Sequence, residues 1–124
     1  MNKDLRAMRG KIGEAAAAGY LKEQGYRILD VNWRCRIGEL DIVCMKDHVL
    51  VFVEVRTRSA STLGAFGTPL ESITPKKQHK LRRLAEAYLQ SHAHAGADLR
   101  FDCIGIILNE RNEPVSVTQT TGAF

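Results

Sequence analysis

The sequence predicts a small α/β domain. Two helical patterns bracket a block of β-branched runs, a further apolar run follows the second helix, and one central run is apolar on both faces. A strand of that last kind needs cover on both sides, so helices should flank a central sheet. A chain of 124 residues is the size of one ordinary domain, expected here to span residues 1–124. Its 44% hydrophobic and 26% charged content is that of a globular chain, not a disordered one.

The first helix is expected over Arg9 to Gln24, with Gly25 as its stop. Ile12, Ala15, Ala16, Gly19 and Tyr20 fall at helical spacing, and such small side chains predict close packing on a sheet. Tyr26 to Arg36 reads as extended. Leu40 to Met45 and Val49 to Val55 then flank the polar Lys46-Asp47-His48, which is a hairpin signal. Thr57 to Ser72 carries Ser, Thr, Gly and one Pro without periodicity and is expected to be a long loop. Thr74 is a plausible N-cap with Pro75 at the first helical position, and Leu81, Leu84, Ala85, Tyr88 and Leu89 form the inward stripe of a second helix. Arg100 to Leu108 is another apolar strand. Glu110 to Pro114 is a turn, and Val115 to Thr118 a short edge strand. The expected order is helix, three strands, helix, strand, strand.

No apolar run approaches the ~20 residues that cross a bilayer, and no apolar stretch follows the basic N-terminus as in a signal peptide. Cys35, Cys44 and Cys103 lack CxxC spacing and sit in or beside apolar runs. They read as buried hydrophobes of a reducing compartment, with a zinc or redox site as the alternative. A cytoplasmic protein with no membrane partner is therefore expected.

The hairpin carries the chemistry. Asp41 lies six residues before Asp47, and Glu54 six residues after His48. A two-residue turn, or a four-residue loop from Lys46 to Val49, sets the two carboxylates opposite each other on one face. A three-residue loop sends them to opposite faces. Two carboxylates about 4 Å apart repel by roughly 4 kcal/mol at an effective dielectric of 20. A shared proton, a cation such as Arg56 or Arg34, or a bound divalent ion relieves this, and Mg²⁺ suits the last role because it takes oxygen ligands. Glu39 is either a further site residue or a solvated edge carboxylate.

The strings GELDIV (Gly38 to Val43) and VFVEVRTR (Val51 to Arg58), with GEAAA (Gly13 to Ala17) before them and ITPKKQ (Ile73 to Gln78) and RFD (Arg100 to Asp102) after, resemble the YraN-type family of bacterial proteins. That family is similar to the Holliday-junction-resolvase branch of the restriction-endonuclease-like, PD-(D/E)XK, superfamily. The resemblance covers nearly the whole chain. It implies an αβββαβ core with a mixed central sheet, in which Glu14, Asp41 and Glu54 gather around Mg²⁺ or Mn²⁺. It also implies an endonuclease hydrolysing phosphodiester bonds of DNA, including branched DNA, and allows a homodimer. The lysine expected two positions after the last acid is here Arg56, which stays charged and cannot act as a base. Arg56 still suits stabilisation of phosphate charge. The alternative reading is a nucleic-acid-binding protein of the same fold with weakened catalysis.

Gln78 is expected to contact the attacking water or a phosphate, or else to be a solvated helix residue. Lys76, Lys77, His79, Lys80, Arg82 and Arg83 crowd the first two turns of the second helix. Helix N-terminal turns favour acids, so a basic one fits a nearby anion. Lys76, Lys77, Lys80 and Arg83 are candidate backbone contacts, with Arg34, Arg36, Arg56 and Arg58 extending the patch. Gly64 and Gly67 would let the long loop order around a duplex. His92 and His94 lack further nearby ligands for a metal site, and His48 reads as a turn residue. Asp102, inside an apolar strand, needs a partner. Arg100 or a helix N–H is the default, and a role supporting the site the alternative.

Overall fold

The protein is described by a computed structural model covering residues 2–60, 73–94 and 96–124. Its elements run α1 (Asn2–Glu23), β1 (Arg27–Arg34), β2 (Glu39–Lys46), β3 (Val49–Ser59), α2 (Pro75–Ser91), β4 (Asp98–Leu108) and β5 (Pro114–Thr120). The five strands form one sheet in the order β1-β2-β3-β4-β5. β1, β2 and β3 are an antiparallel meander, β3 and β4 are parallel, and β4 and β5 are antiparallel. A parallel pair needs a long crossover, and α2 lies in that connection. The result is a mixed sheet with an αβββαβ core and one added edge strand.

The two helices cover opposite faces. Ala17 and Leu21 of α1 pack with Ile42, Cys44, Val51, Val53, Ile104 and Ile106. On the other face Leu81, Leu84, Ala85 and Tyr88 of α2 pack with Val43, Leu50, Phe52 and Phe101. β3 is therefore buried on both sides, as its unbroken apolar run requires. Thr74 caps α2 by accepting from Lys77 N, with Pro75 in the first turn. At the other end the Tyr88 hydroxyl donates to Asp30 Oδ2 at 2.7 Å, which ties α2 to β1.

Two expectations need correction. The buried row of α1 is Gly13, Ala17 and Leu21, while Ala15 and Gly19 are exposed. Alanine and glycine occur all round this helix, so periodicity identified the helix but not its inward side. The helix also begins at Asn2, seven residues before Arg9. Second, the segment expected to loop from Thr57 continues β3 through Ser59, because Thr57, Arg58 and Ser59 pair with Ile106, Ile107 and Leu108 of β4. The rest of that expected loop, residues 61–72 with Gly64 and Gly67, lies outside the described residues.

The small residues of α1 do permit close approach. A Cβ on Gly13 would collide with Thr57 Oγ1, and would stand 3.0 Å from Thr57 Cβ. Glycine at position 13 is what lets α1 lie against β3, and it sets Glu14 at the end of the sheet.

Cys44 and Cys103 are buried and Cys35 partly so, all three as free thiols. Burial pushes the Cys44 thiol up to about 12 and the Cys103 thiol up to about 11, so both are inert at neutral pH. Among the described residues no helix is long and apolar enough to cross a membrane.

Candidate metal centre

Asp47 adopts a left-handed φ of 55°, which closes the hairpin in two residues and pairs Lys46 with Val49. The register then runs Met45↔Leu50, Cys44↔Val51, Val43↔Phe52 and Ile42↔Val53. One further step sets Asp41 against Glu54. Their carboxyls lie within hydrogen-bonding reach of each other, and Asp41 Oδ2 accepts from Val55 N at 2.9 Å. The even-numbered turn that the pairing needs is the one present.

Asp41 also marks an irregularity in the sheet. Leu40 belongs to the core under α2 and Ile42, only two residues on, to the core under α1. Since β1 pairs Trp33 with Leu40 and Val31 with Ile42, Asn32 lies opposite Asp41, and it adopts a left-handed φ of 54°. The alternation of both strands slips at this pair. Asn32 thereby turns its side chain to Glu14, where it partly offsets the effect of burial on that carboxyl. Nothing in the hydrophobic pattern singled out Asn32; asparagine's tolerance of the left-handed region was the only cue.

Carboxylate oxygens of Glu14, Glu39 and Asp41 lie within 4.8 Å of one another. The structure thus places Glu39, which the sequence left open, inside the acidic group, where it also pairs with Arg34 at 2.9 Å. Glu54 meets the group through Asp41. Its own Oε2 faces two cations, Arg56 Nη2 at 3.3 Å and Lys77 Nζ at 3.4 Å. Neither stands in hydrogen-bonding geometry, so Oε2 is buried without a hydrogen bond. The residue is 6% exposed.

The electrostatics follow from this crowding. Burial first, then the neighbouring Glu54 and Glu14, push Asp41 up to about 8, against the opposing Val55 N–H. Glu14 is also raised, chiefly by burial and further by Glu39 and Glu54. These groups therefore fit a hard divalent cation: oxygen donors converge from α1, β2 and β3, and one buried oxygen is short of a hydrogen bond.

The remaining candidates are distributed around this centre. Lys76, Lys77, His79, Lys80 and Arg83 line a groove of about 470 Å³ at the start of α2, with Ile37 among its walls. The stem of Lys80 passes over Gly38, with Cε 3.2 Å from where a Cβ would sit. Arg82 is not part of it: its guanidinium lies over the rings of Phe101 and Phe124 at 5.0 and 5.7 Å. Arg58 follows Arg56 two positions along β3 and donates through Nη1 to Thr57 O, and the Nε atoms of both arginines are buried without a partner. Gln78 donates to Ile73 O at 3.1 Å, and it makes no hydrogen bond to a carboxylate among the described residues. His92 stacks on Tyr88 at 4.1 Å and does not join the acids. Asp102 is held by Arg100, the simpler of the two readings of that residue.

Fold and site together define a mixed α/β domain with an acidic cluster at one end of its sheet and a basic helix start beside it. The model described as "Uncharacterised protein family UPF0102" matches residues 13–106, which contain all four acids, and the chain belongs to that family. It is 49% identical to a UPF0102 protein of Moorella thermoacetica, over 96% of this chain and 97% of that one. A UPF0102 protein of Alkaliphilus oremlandii is 47% identical over 94% and 95%, and one of Clostridium botulinum (strain Loch Maree) 41% identical over 99% and 95%.

Proposed function

We propose that this protein is a divalent-cation-dependent nuclease of the restriction-endonuclease-like type, related to junction resolvases, that hydrolyses phosphodiester bonds in DNA. The observation that carries this reading is the buried Glu54 Oε2, unbonded and set against Asp41, with Glu14 and Glu39 converging on the same end of the sheet. Asp41, Glu54 and Glu14 would hold Mg²⁺ or Mn²⁺, and Glu39 is placed to assist. Such an ion supplies Lewis-acid polarisation of a phosphoryl oxygen and a bound water of lowered pKa.

The chain's own residues supply the rest. Arg56 stays protonated, so it can neutralise charge that develops on the phosphate but cannot take a proton from water. Lys76, Lys80 and Arg83 offer sequence-independent contacts to a phosphate backbone, which suits selection by shape instead of by base.

The test is cleavage of a panel of branched and linear DNAs with and without Mg²⁺ or Mn²⁺. Glu54→Gln should lower the rate by on the order of 100-fold or more, and Arg56→Lys should raise it. A specific contact favours a second reading: Arg56 sits on Glu54 at 3.3 Å, where it competes for the carboxylate. If branched DNA binds tightly and no ion brings cleavage, the protein is a nucleic-acid-binding member of the fold. Failure to take up Mg²⁺ or Mn²⁺ in calorimetry removes the metal centre altogether.

A further inference from the structure

Lys77 belongs to two sites at once. Its ammonium lies 3.4 Å from Glu54 Oε2, and the same side chain lines the basic groove with Lys76, His79, Lys80 and Arg83. It occupies the third position of α2, where a capping box places an acid, and the first turn of this helix contains none. Glu54 supplies the missing negative charge from the neighbouring strand.

The second cation on Glu54 is held differently. Arg56 rises from β3 itself, its side chain is 25% exposed and its Nε is buried. Lys77 reaches in from a helix end on a flexible four-carbon stem, one-third exposed and open to the groove. A doubly charged ion on Asp41 and Glu54 repels both, and the lysine, which already lines the groove, has an open path into it.

We propose that Lys77 is a resident counter-ion of Glu54 that a divalent cation displaces into the basic groove, so that metal loading and binding of a phosphate backbone strengthen each other. This rests on the metal-centre reading above. It adds that the groove gains one positive charge when the centre fills. By linkage, a polyanion that draws Lys77 away raises metal affinity by the same factor that metal raises polyanion affinity.

The test uses the full chain and two single substitutions, Lys77→Met and the control Lys76→Met. Calorimetry with Mn²⁺ alone should show at least threefold tighter binding in Lys77→Met, since the ion no longer competes with an ammonium, and no change in Lys76→Met. The salt dependence of duplex binding is the second readout. Each phosphate contact contributes about 0.9 to the slope of log K against log salt. In EDTA, Lys76→Met should flatten the slope by about that amount, whereas Lys77→Met leaves it unchanged because Lys77 is engaged with Glu54. In fixed Ca²⁺, a hard cation used here as an oxygen-seeking probe, Lys77→Met should flatten it as well. Lys77→Gln, which keeps a polar stem, replaces the methionine variant if circular dichroism shows that the latter does not fold. Unchanged or weaker Mn²⁺ binding in the Lys77 variant, beside normal binding in the unaltered chain, overturns the displacement and leaves the centre standing. A slope flattened equally in EDTA and Ca²⁺ does the same. No Mn²⁺ uptake by the unaltered chain overturns both.

Discussion

Two carboxylates are buried in this sheet, on adjacent parallel strands, and they live under opposite conditions. Asp102 on β4 is fully buried and fully bonded. Arg100 reaches it through Nε and Nη2, both at 2.8 Å, while Gln119 Nε2 and Gly122 N each donate at 3.0 Å. Glu54 on β3 is nearly as buried, yet its Oε2 has two cations at looser distances and no hydrogen bond. Burial alone does not separate a structural acid from a functional one. What differs between these two is bonding: Asp102 has its oxygens taken up by four donors, whereas Glu54 Oε2 keeps an acceptor free of hydrogen bonds.

The sharpest way to break this contrast is to neutralise each acid in turn. Asp102→Asn leaves the Arg100 guanidinium without its counter-charge, which we expect to cost about 3 kcal/mol. The melting temperature should drop by on the order of 10 °C. Glu54→Gln removes an anion from an acid-rich neighbourhood and frees two partly exposed cations, so stability should change by no more than about 1 kcal/mol while Mn²⁺ binding is lost. Thermal denaturation of the two variants side by side decides it. Equal losses of stability would put Glu54 in the same structural category as Asp102.

Gly13 offers a second lever, on the acidic end alone. An added methyl at Gly13→Ala meets Thr57 on β3, and backbone displacement of this kind costs about 1–3 kcal/mol. Because Glu14 is the next residue, the helix cannot move away without carrying that carboxylate from Asp41. Mn²⁺ affinity should fall together with the melting temperature. In Gly10→Ala, where a Cβ meets nothing within 4 Å, neither should fall.

Much of this end was legible in the sequence because strand periodicity is strict. The distances of Asp41 and Glu54 from a short polar turn made their pairing conditional on an even-numbered turn, and the turn proved to be the two-residue one. Thr74, Pro75 and the stripe from Leu81 to Tyr88 likewise fixed α2 and its inward side. Three features were hidden for identifiable reasons. The inward side of α1 could not be read where alanine and glycine surround the helix. Glu39's place in the cluster depends on the slip at Asn32 and Asp41, which no pattern of side-chain polarity encodes. Lys77 read only as one of the candidate phosphate contacts, since its link to Glu54 joins a helix end to a strand more than twenty residues earlier.

Asp41, the carboxyl opposite Glu54, gives the acidic group a pH dependence of its own. Asp41 is raised from 3.8 to about 8 in the folded chain. The native state therefore holds a proton that the unfolded chain has released, and stability falls as pH rises from about 4 through about 8. Mn²⁺ uptake must displace that proton, so affinity should climb across the upper part of the same window, with proton release visible as a buffer-dependent heat in calorimetry. Asp41→Asn keeps an acceptor for Val55 N and has no proton to lose. In metal-free buffer at pH 8 it should melt several degrees above the unaltered chain, and the gap should narrow as pH falls and close near pH 4. A gap of the same size at pH 8 and near pH 4 would mean that the gain comes from packing, not from the crowded charge.

The smallest expected effect isolates the helix that carries Lys77. Thr74→Ala removes the side-chain acceptor of Lys77 N and should cost about 1 kcal/mol, the usual size of a lost N-cap. The change is local to the first turn of α2, because Tyr88 still ties the far end to Asp30. Fraying there loosens the ammonium from Glu54 without deleting it. Mn²⁺ affinity should therefore rise slightly in a variant that is less stable overall, whereas Gly13→Ala lowers both. Opposite signs from two destabilising substitutions, one at α1 and one at α2, separate a centre restrained by its own lysine from one that weakens whenever the fold does.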